Sequence, residues 1–113
     1  MHELGITRSV VAIVAEHARG QKVLRVTLDI GKLAGVDARA VAFCFDAVAM
    51  GTPLEGAKLD IREVDGRARC ATCGSEFEVA AHFAPCACGS RQLTRIAGDE
   101  LKIGTMELEV EAA

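Results

Sequence analysis

The chain has 113 residues, 50% of them hydrophobic, a net charge of −3, four Phe and neither Trp nor Tyr. That is material for one ordinary domain, or for a small aliphatic core plus a metal-stapled module. The acidic balance argues against a nucleic-acid binder, which carries a basic stripe with interleaved aromatics, and no apolar run approaches the roughly 18 residues that span a bilayer.

The predicted elements follow in chain order. Ile6, Val10, Ile13, Val14 and His17 recur at helical spacing over residues 6–18, and Gly20 is a natural stop. Leu24, Val26, Leu28 and Ile30 then alternate with Arg25, Thr27 and Asp29, a strand with one buried and one wet face. Asp37 is placed to cap a second helix, with Val41, Cys44, Phe45 and Val48 on one stripe and Gly51 at its end. A second strand alternates through Leu59 and Ile61. Residues 65–98 show no sustained period, only Gly, Cys, Ala and short polar pieces. A last strand covers about 100–111, and its apolar phase flips between Ile103 and Met106, across Gly104-Thr105. A one-residue slip of that kind is what a β-bulge absorbs.

The expected fold class is α+β: a small three-stranded mixed sheet with two helices on one face, plus an inserted zinc-ribbon-like module. Residues 1–64 and 99–113 form the α/β domain, and residues 65–98 the inserted module.

Cys70-x-x-Cys73 and Cys86-x-Cys88 are a strong metal signal. Two tight turns facing each other can bring four thiolates to about 2.3 Å from one ion. Gly74 and Gly89 follow Cys73 and Cys88 directly, where the backbone folds tightly around sulfur. Such a closed shell folds a module too small to have a core of its own. Two-turn spacing favours zinc over a single iron. A redox role for Cys-x-x-Cys ordinarily comes with a βαβ context, which is missing here. The second pair is one residue shorter than a usual knuckle, and His82 in the same loop is a substitute ligand, its plainer reading being an exposed loop residue. No basic leader and apolar stretch precede the first helix, so no secretory signal is expected and the five cysteines read as reduced thiols of a cytoplasmic protein.

Met1-His2-Glu3 is nitrogen-rich. The ring Nδ1 and backbone nitrogen of His2 can close a chelate ring, with the Met1 amine and the Glu3 backbone nitrogen completing a square plane. Ni(II) is among the few biological ions that favour such donors. Met1 is expected to be retained, because His2 is not small. The plain alternative is a frayed, solvated terminus. His17 reads as a helix-packing residue, and Cys44 as a small core residue. No nucleophile–base pair or open zinc position is visible, so the chain is not read as an enzyme.

Taken jointly, these residues resemble the HypA-type hydrogenase nickel-incorporation family over the whole chain. The match rests on Met1-His2-Glu3, the Val26-to-Gly31 strand running into Gly35-Val36-Asp37, the Gly51-Thr52 and Glu55-Gly56-Ala57 turn, Cys70-x-x-Cys73-Gly74, Cys88-Gly89-Ser90, and Gly98 with Glu100. The resemblance implies a nickel metallochaperone that delivers Ni(II) to the large subunit of [NiFe]-hydrogenase, working with a GTPase, with a homodimer left open. It implies nickel at His2 with Glu3 and Met1 beside it, and structural zinc on Cys70, Cys73, Cys86 and Cys88. Asp37 falls on a family acidic position, that of an outer or fifth nickel ligand. The departure is at the second knuckle. The family usually reads Cys-Pro-x-Cys-Gly-Ser, where this chain has Pro85-Cys86-Ala87-Cys88-Gly89-Ser90, which leaves the third ligand open between Cys86 and His82. The competing class is a zinc-ribbon protein-interaction module without nickel chemistry, in which His2 is idle.

Overall fold

The computed structural model describes residues 2–110. The elements run α1 (Glu3–Ala18), β1 (Val23–Gly31), α2 (Ala38–Ala49), β2 (Lys58–Val64), β3 (Arg67–Cys70), β4 (Glu76–Glu78), β5 (Leu93–Ala97) and β6 (Leu101–Leu108). They form two three-stranded sheets, ordered β2-β1-β6 and β4-β3-β5. In the first, β2 is parallel to β1 across the α2 crossover and β6 is antiparallel, so the sheet is mixed.

The core lies between the first sheet and both helices. Val26, Leu28 and Ile30 of β1 meet Val10 and Val14 of α1 and Val41 and Phe45 of α2, all at most 7% exposed. Apolar side chains from opposite elements, spaced at 3.6 and at 2, give one continuous aliphatic core. Gly104 is the extra residue between the Thr27–Thr105 and Leu28–Ile103 pairs, so the phase flip is a bulge on β6.

Some details depart from the sequence reading. α1 begins three residues earlier than its apolar stripe, without a side-chain cap at His2. Ile13 and His17 are exposed, and His17 Nδ1 turns back to the Ile13 carbonyl at 2.8 Å instead of packing. Leu24 is 45% exposed and Val23 fully buried, because a second irregularity between Val23 and Arg25 shifts the β1 alternation by one. Cys44 is half-buried, on the edge of the stripe and not within it. Residues 65–98, where no sustained period marked individual elements within the zinc-ribbon-like module, hold three short strands.

On the open face of the first sheet, Arg62 forks onto Asp29 at 2.8 and 3.1 Å. That hydrogen bond holds the Asp29 carboxyl below its ordinary value against the opposing effect of its surroundings. A group whose pKa is depressed on folding contributes stability above its unfolded value and loses it as pH falls through the folded one. Arg62→Met is therefore expected to lower the melting temperature at neutral pH and to flatten its decline below about pH 4. A variant that melts with the wild-type acid profile would show that the pair contributes nothing.

The two sheets meet at a glycine joint. A Cβ on Gly31 would stand 2.0 Å from the Gly98 carbonyl oxygen, and one on Gly98 (φ +114°) 2.6 Å from the Gly66 Cα. Backbone crosses the joint directly: Gly31 N–H donates to the Glu100 carbonyl at 2.7 Å and Leu33 N–H to the Gly98 carbonyl at 2.8 Å. Leu33, in the loop after β1, inserts into the small second core with Ala68 and Val79. The second module therefore borrows a core residue from the first sheet's loop. Gly31→Ala should cost on the order of 3 kcal/mol through backbone overlap, against about 1 kcal/mol for Gly20→Ala at an open left-handed turn. Equal losses in chemical denaturation would contradict the joint.

Candidate metal centre

Two turns build the thiol cluster. After β3, Cys70 N–H donates to the Ser75 carbonyl and Gly74 N–H to the Cys70 carbonyl, both at 2.9 Å. Before β5 the same pattern returns one residue shorter: Cys86 N–H to the Ser90 carbonyl at 2.9 Å and Gly89 N–H to the Cys86 carbonyl at 2.8 Å. Gly74 (φ +75°) and Gly89 (φ +91°) close the turns in the left-handed region. The missing residue of Cys86-Ala87-Cys88 is thus absorbed by a tighter turn of the same topology. Thr72 Oγ donates to Ser90 Oγ at 2.9 Å and Ala71 N–H to the Gln92 carbonyl at 2.8 Å, which hold the turns together.

The sulfurs of Cys70, Cys73, Cys86 and Cys88 all lie within 4.8 Å of one another. Cys70 and Cys88 are 3.7 Å apart, Cys73 and Cys86 3.6 Å. A tetrahedron with 2.3 Å arms has edges of about 3.8 Å, whereas a disulfide is about 2.05 Å. The spacing fits a tetrahedral ion. One cysteine of each pair, Cys70 and Cys86, is buried, while Cys73 and Cys88 are exposed. The Cys73 and Thr72 backbone N–H groups and the neighbouring sulfurs bring the Cys70 thiol down to about 6 despite burial. At Cys86 the Cys88 N–H favours the thiolate, but burial and the surrounding sulfurs push the thiol up to about 12. Four thiolates cannot share this space without a cation. A dication removes the conflict, and a shell of four sulfurs suits zinc.

His82 is not part of this group. It is exposed, tilts against Phe83 with ring centroids 6.4 Å apart, and lines a cleft of about 170 Å³ with Val79, Arg91 and Leu93.

At the N-terminus, Met1 lies outside the described residues. His2 is exposed at the N-cap position of α1 and its side chain caps nothing. The first intrahelical bond is Ile6 N–H to the His2 carbonyl at 3.0 Å, so the N–H groups of His2 and Glu3 precede the helical ladder. The Glu3 carboxylate accepts from the Asp37 backbone N–H at 3.0 Å, which together with the first-turn amide lowers its pKa. Asp37 Oδ1 accepts from Arg39 and Ala40 N–H at 3.0 and 3.4 Å, capping α2. The Glu3 tie joins the starts of the two helices, a contact that no local sequence pattern announces. Among the described residues, no other group of three His, Cys, Asp or Glu side chains gathers as the cysteines do.

A family model described as hydrogenase/urease nickel incorporation, metallochaperone, HypA, matches residues 1–108. The chain belongs to the HypA family. It is 53% identical over 109 residues to a hydrogenase maturation factor HypA of Nostoc sp., covering 96% of each chain. Against the HypA maturation factor of Geobacter metallireducens it is 48% identical over 110 residues, covering 96% of this chain and 100% of that one. The solution structure of the Ni metallochaperone HypA from Helicobacter pylori superposes with a TM-score of 0.70 at 26% identity, covering 98% of this chain and 100% of that one. These relatives are metallochaperones and maturation factors of the HypA family. No described helix is long and apolar enough to cross a membrane.

Proposed function

We propose that this HypA-family chain binds Ni(II) at its N-terminus and delivers it to the large subunit of [NiFe]-hydrogenase during maturation. It works in the cytoplasm with a GTPase and makes or breaks no covalent bond of a substrate. The donors are the Met1 amine, the His2 backbone nitrogen and imidazole, and the Glu3 backbone nitrogen. Residues 1–64 with 99–113 form the nickel-binding domain. Residues 65–98 form a zinc domain, with Cys70, Cys73, Cys86 and Cys88 as ligands.

The observation that carries this reading is the start of α1 at Glu3. Ordinary helix amides are committed to carbonyls, and stripping them for a metal would break the ladder. Those of His2 and Glu3 lie ahead of the first intrahelical bond. A bare dication at a helix N-terminus meets the positive end of the helix dipole. Two deprotonated amides cancel the charge of Ni(II), so the planar complex is neutral there. The Glu3 carboxylate, engaged by Asp37, orients the terminus and supplies only its backbone nitrogen to the ion.

X-ray absorption on the nickel-loaded, untagged protein tests the assignment. A planar shell of four nitrogen donors, one of them an imidazole, is expected, and His2→Gln should erase the imidazole scattering. Sulfur in the nickel shell, or a spectrum indifferent to His2→Gln, contradicts it.

A further inference from the structure

The second module carries a cleft that the thiol cluster does not use. It holds about 170 Å³ between the second sheet and the 82–84 loop. The buried Val79 and half-buried Leu93 give it an apolar lining. Arg91 and Arg95 add two guanidinium groups, and Phe83, 86% exposed, adds a phenyl ring. Leu93 and Arg95 stand two apart in β5 and share a face of the strand. The alternation that buries Leu93 therefore also brings a cation to the edge of the small core.

In a chain of net charge −3, two guanidiniums on one small cleft reverse the local sign. The fold leaves both with donors to spare. Arg91 forms no ion pair among the described residues. Its Nη1 donates to the Phe83 carbonyl at a long 3.3 Å. Arg95 meets the exposed Asp99 carboxylate through Nη1 alone, at 3.0 and 3.2 Å. A guanidinium is a flat fork that takes a carboxylate through two parallel bonds. The ring and aliphatic lining beside the cations offer an apolar side chain a place out of water. A lone phosphate would use the cations and leave that apolar half wet.

We propose that this cleft docks an acidic, apolar segment of a partner protein, its carboxylate shared by Arg91 and Arg95 and an aliphatic side chain against Phe83. In an extended segment, residues two apart share a face, so a stretch of three residues presents both groups. Asp99 competes with the segment for Arg95 and sets how tightly it is held. The proposal is independent of where nickel binds.

Nitrogen-15 NMR titration of the full, zinc-loaded chain tests it, with the blocked tripeptide acetyl-Leu-Gly-Glu-amide as probe. A probe this small should bind with a Kd of about 1 mM and move the amides of 82–84 and 91–95 and the Nε–H signals of Arg91 and Arg95. Replacing its Glu by Gln should weaken binding about tenfold, and added salt should weaken it further. Arg91→Gln keeps an N–H donor for the Phe83 carbonyl and removes the charge, so it should lose about tenfold with the zinc in place. Phe83→Ala should lose about threefold. Asp99→Asn frees Arg95 and should tighten binding about threefold, a gain that misfolding cannot produce. No shift up to 10-fold above the expected Kd, equal binding of the Glu and Gln peptides, or an Asp99→Asn chain that binds no tighter overturns the proposal. Inorganic phosphate that displaces the peptide at equal ionic strength and binds more tightly also overturns it, and makes the cleft a simple anion site.

Discussion

Cys73→Ser should abolish zinc retention and unfold β3, β4 and β5, while His82→Ala leaves both the metal and the module intact. The four sulfurs already stand at tetrahedral spacing, so a single hydroxyl in place of a thiolate removes a quarter of the shell. The magnitudes decide the outcome. A structural zinc supplies on the order of 10 kcal/mol to folding, whereas burial of Leu33 and Val79 supplies about 2 kcal/mol each. The second core cannot hold the module alone. The helices and the first sheet have their own core and should survive. Hydrogen exchange with metal analysis checks this, and wild type should carry about one zinc per chain. Because Leu33 sits in the second core, amides of the 31–37 loop should lose protection with the module. Zinc loss in His82→Ala with retention in Cys86→Ser would make the shell three cysteines and a histidine. Unfolding of the whole chain on zinc removal would contradict two separable cores.

Periodicity carried the first sheet and its helices because their apolar residues are large, and long runs repeat the pattern. It failed where a bulge intervened without a glycine to mark it. Gly104 announced the irregularity in β6, but nothing at Val23-Leu24 announced the one in β1. Residues 65–98 hid their strands because β3, β4 and β5 span three to five residues each. The buried positions of β3 are Ala68 and Cys70, too small to register as a hydrophobic stripe. Cysteine spacing pointed to the thiol cluster but left Cys86 and His82 open as ligands. Only the fold brings Cys86 to 3.6 Å from Cys73 and sends His82 to a different cleft. The family resemblance proved right over residues 1–108. Leu33 in the second core and Glu3 against Asp37 are tertiary contacts between distant segments, which local pattern does not encode.

The largest functional effect is expected at the N-terminus. His2→Ala removes the one side-chain donor, and among the described residues no other His, Cys, Asp or Glu cluster outside the four cysteines can rebuild a site. Any residue fused ahead of Met1 turns its amine into an amide and removes a second donor. Ring and amide nitrogens must shed protons to ligate, so affinity should climb with pH. Losing one donor of a chelate should weaken binding at least about a hundredfold, with zinc content and melting unchanged because His2 is exposed and packs on nothing in the core. The deciding measurement is a calorimetric Ni(II) titration of the zinc-loaded chain with its own N-terminus, beside His2→Ala and a Gly-Ser-extended chain. The account predicts one tight, proton-releasing site in the native chain and its loss in both altered chains at full zinc occupancy. Equally tight nickel binding in all three, or none in the native chain, contradicts it and leaves a zinc module with no nickel at its terminus.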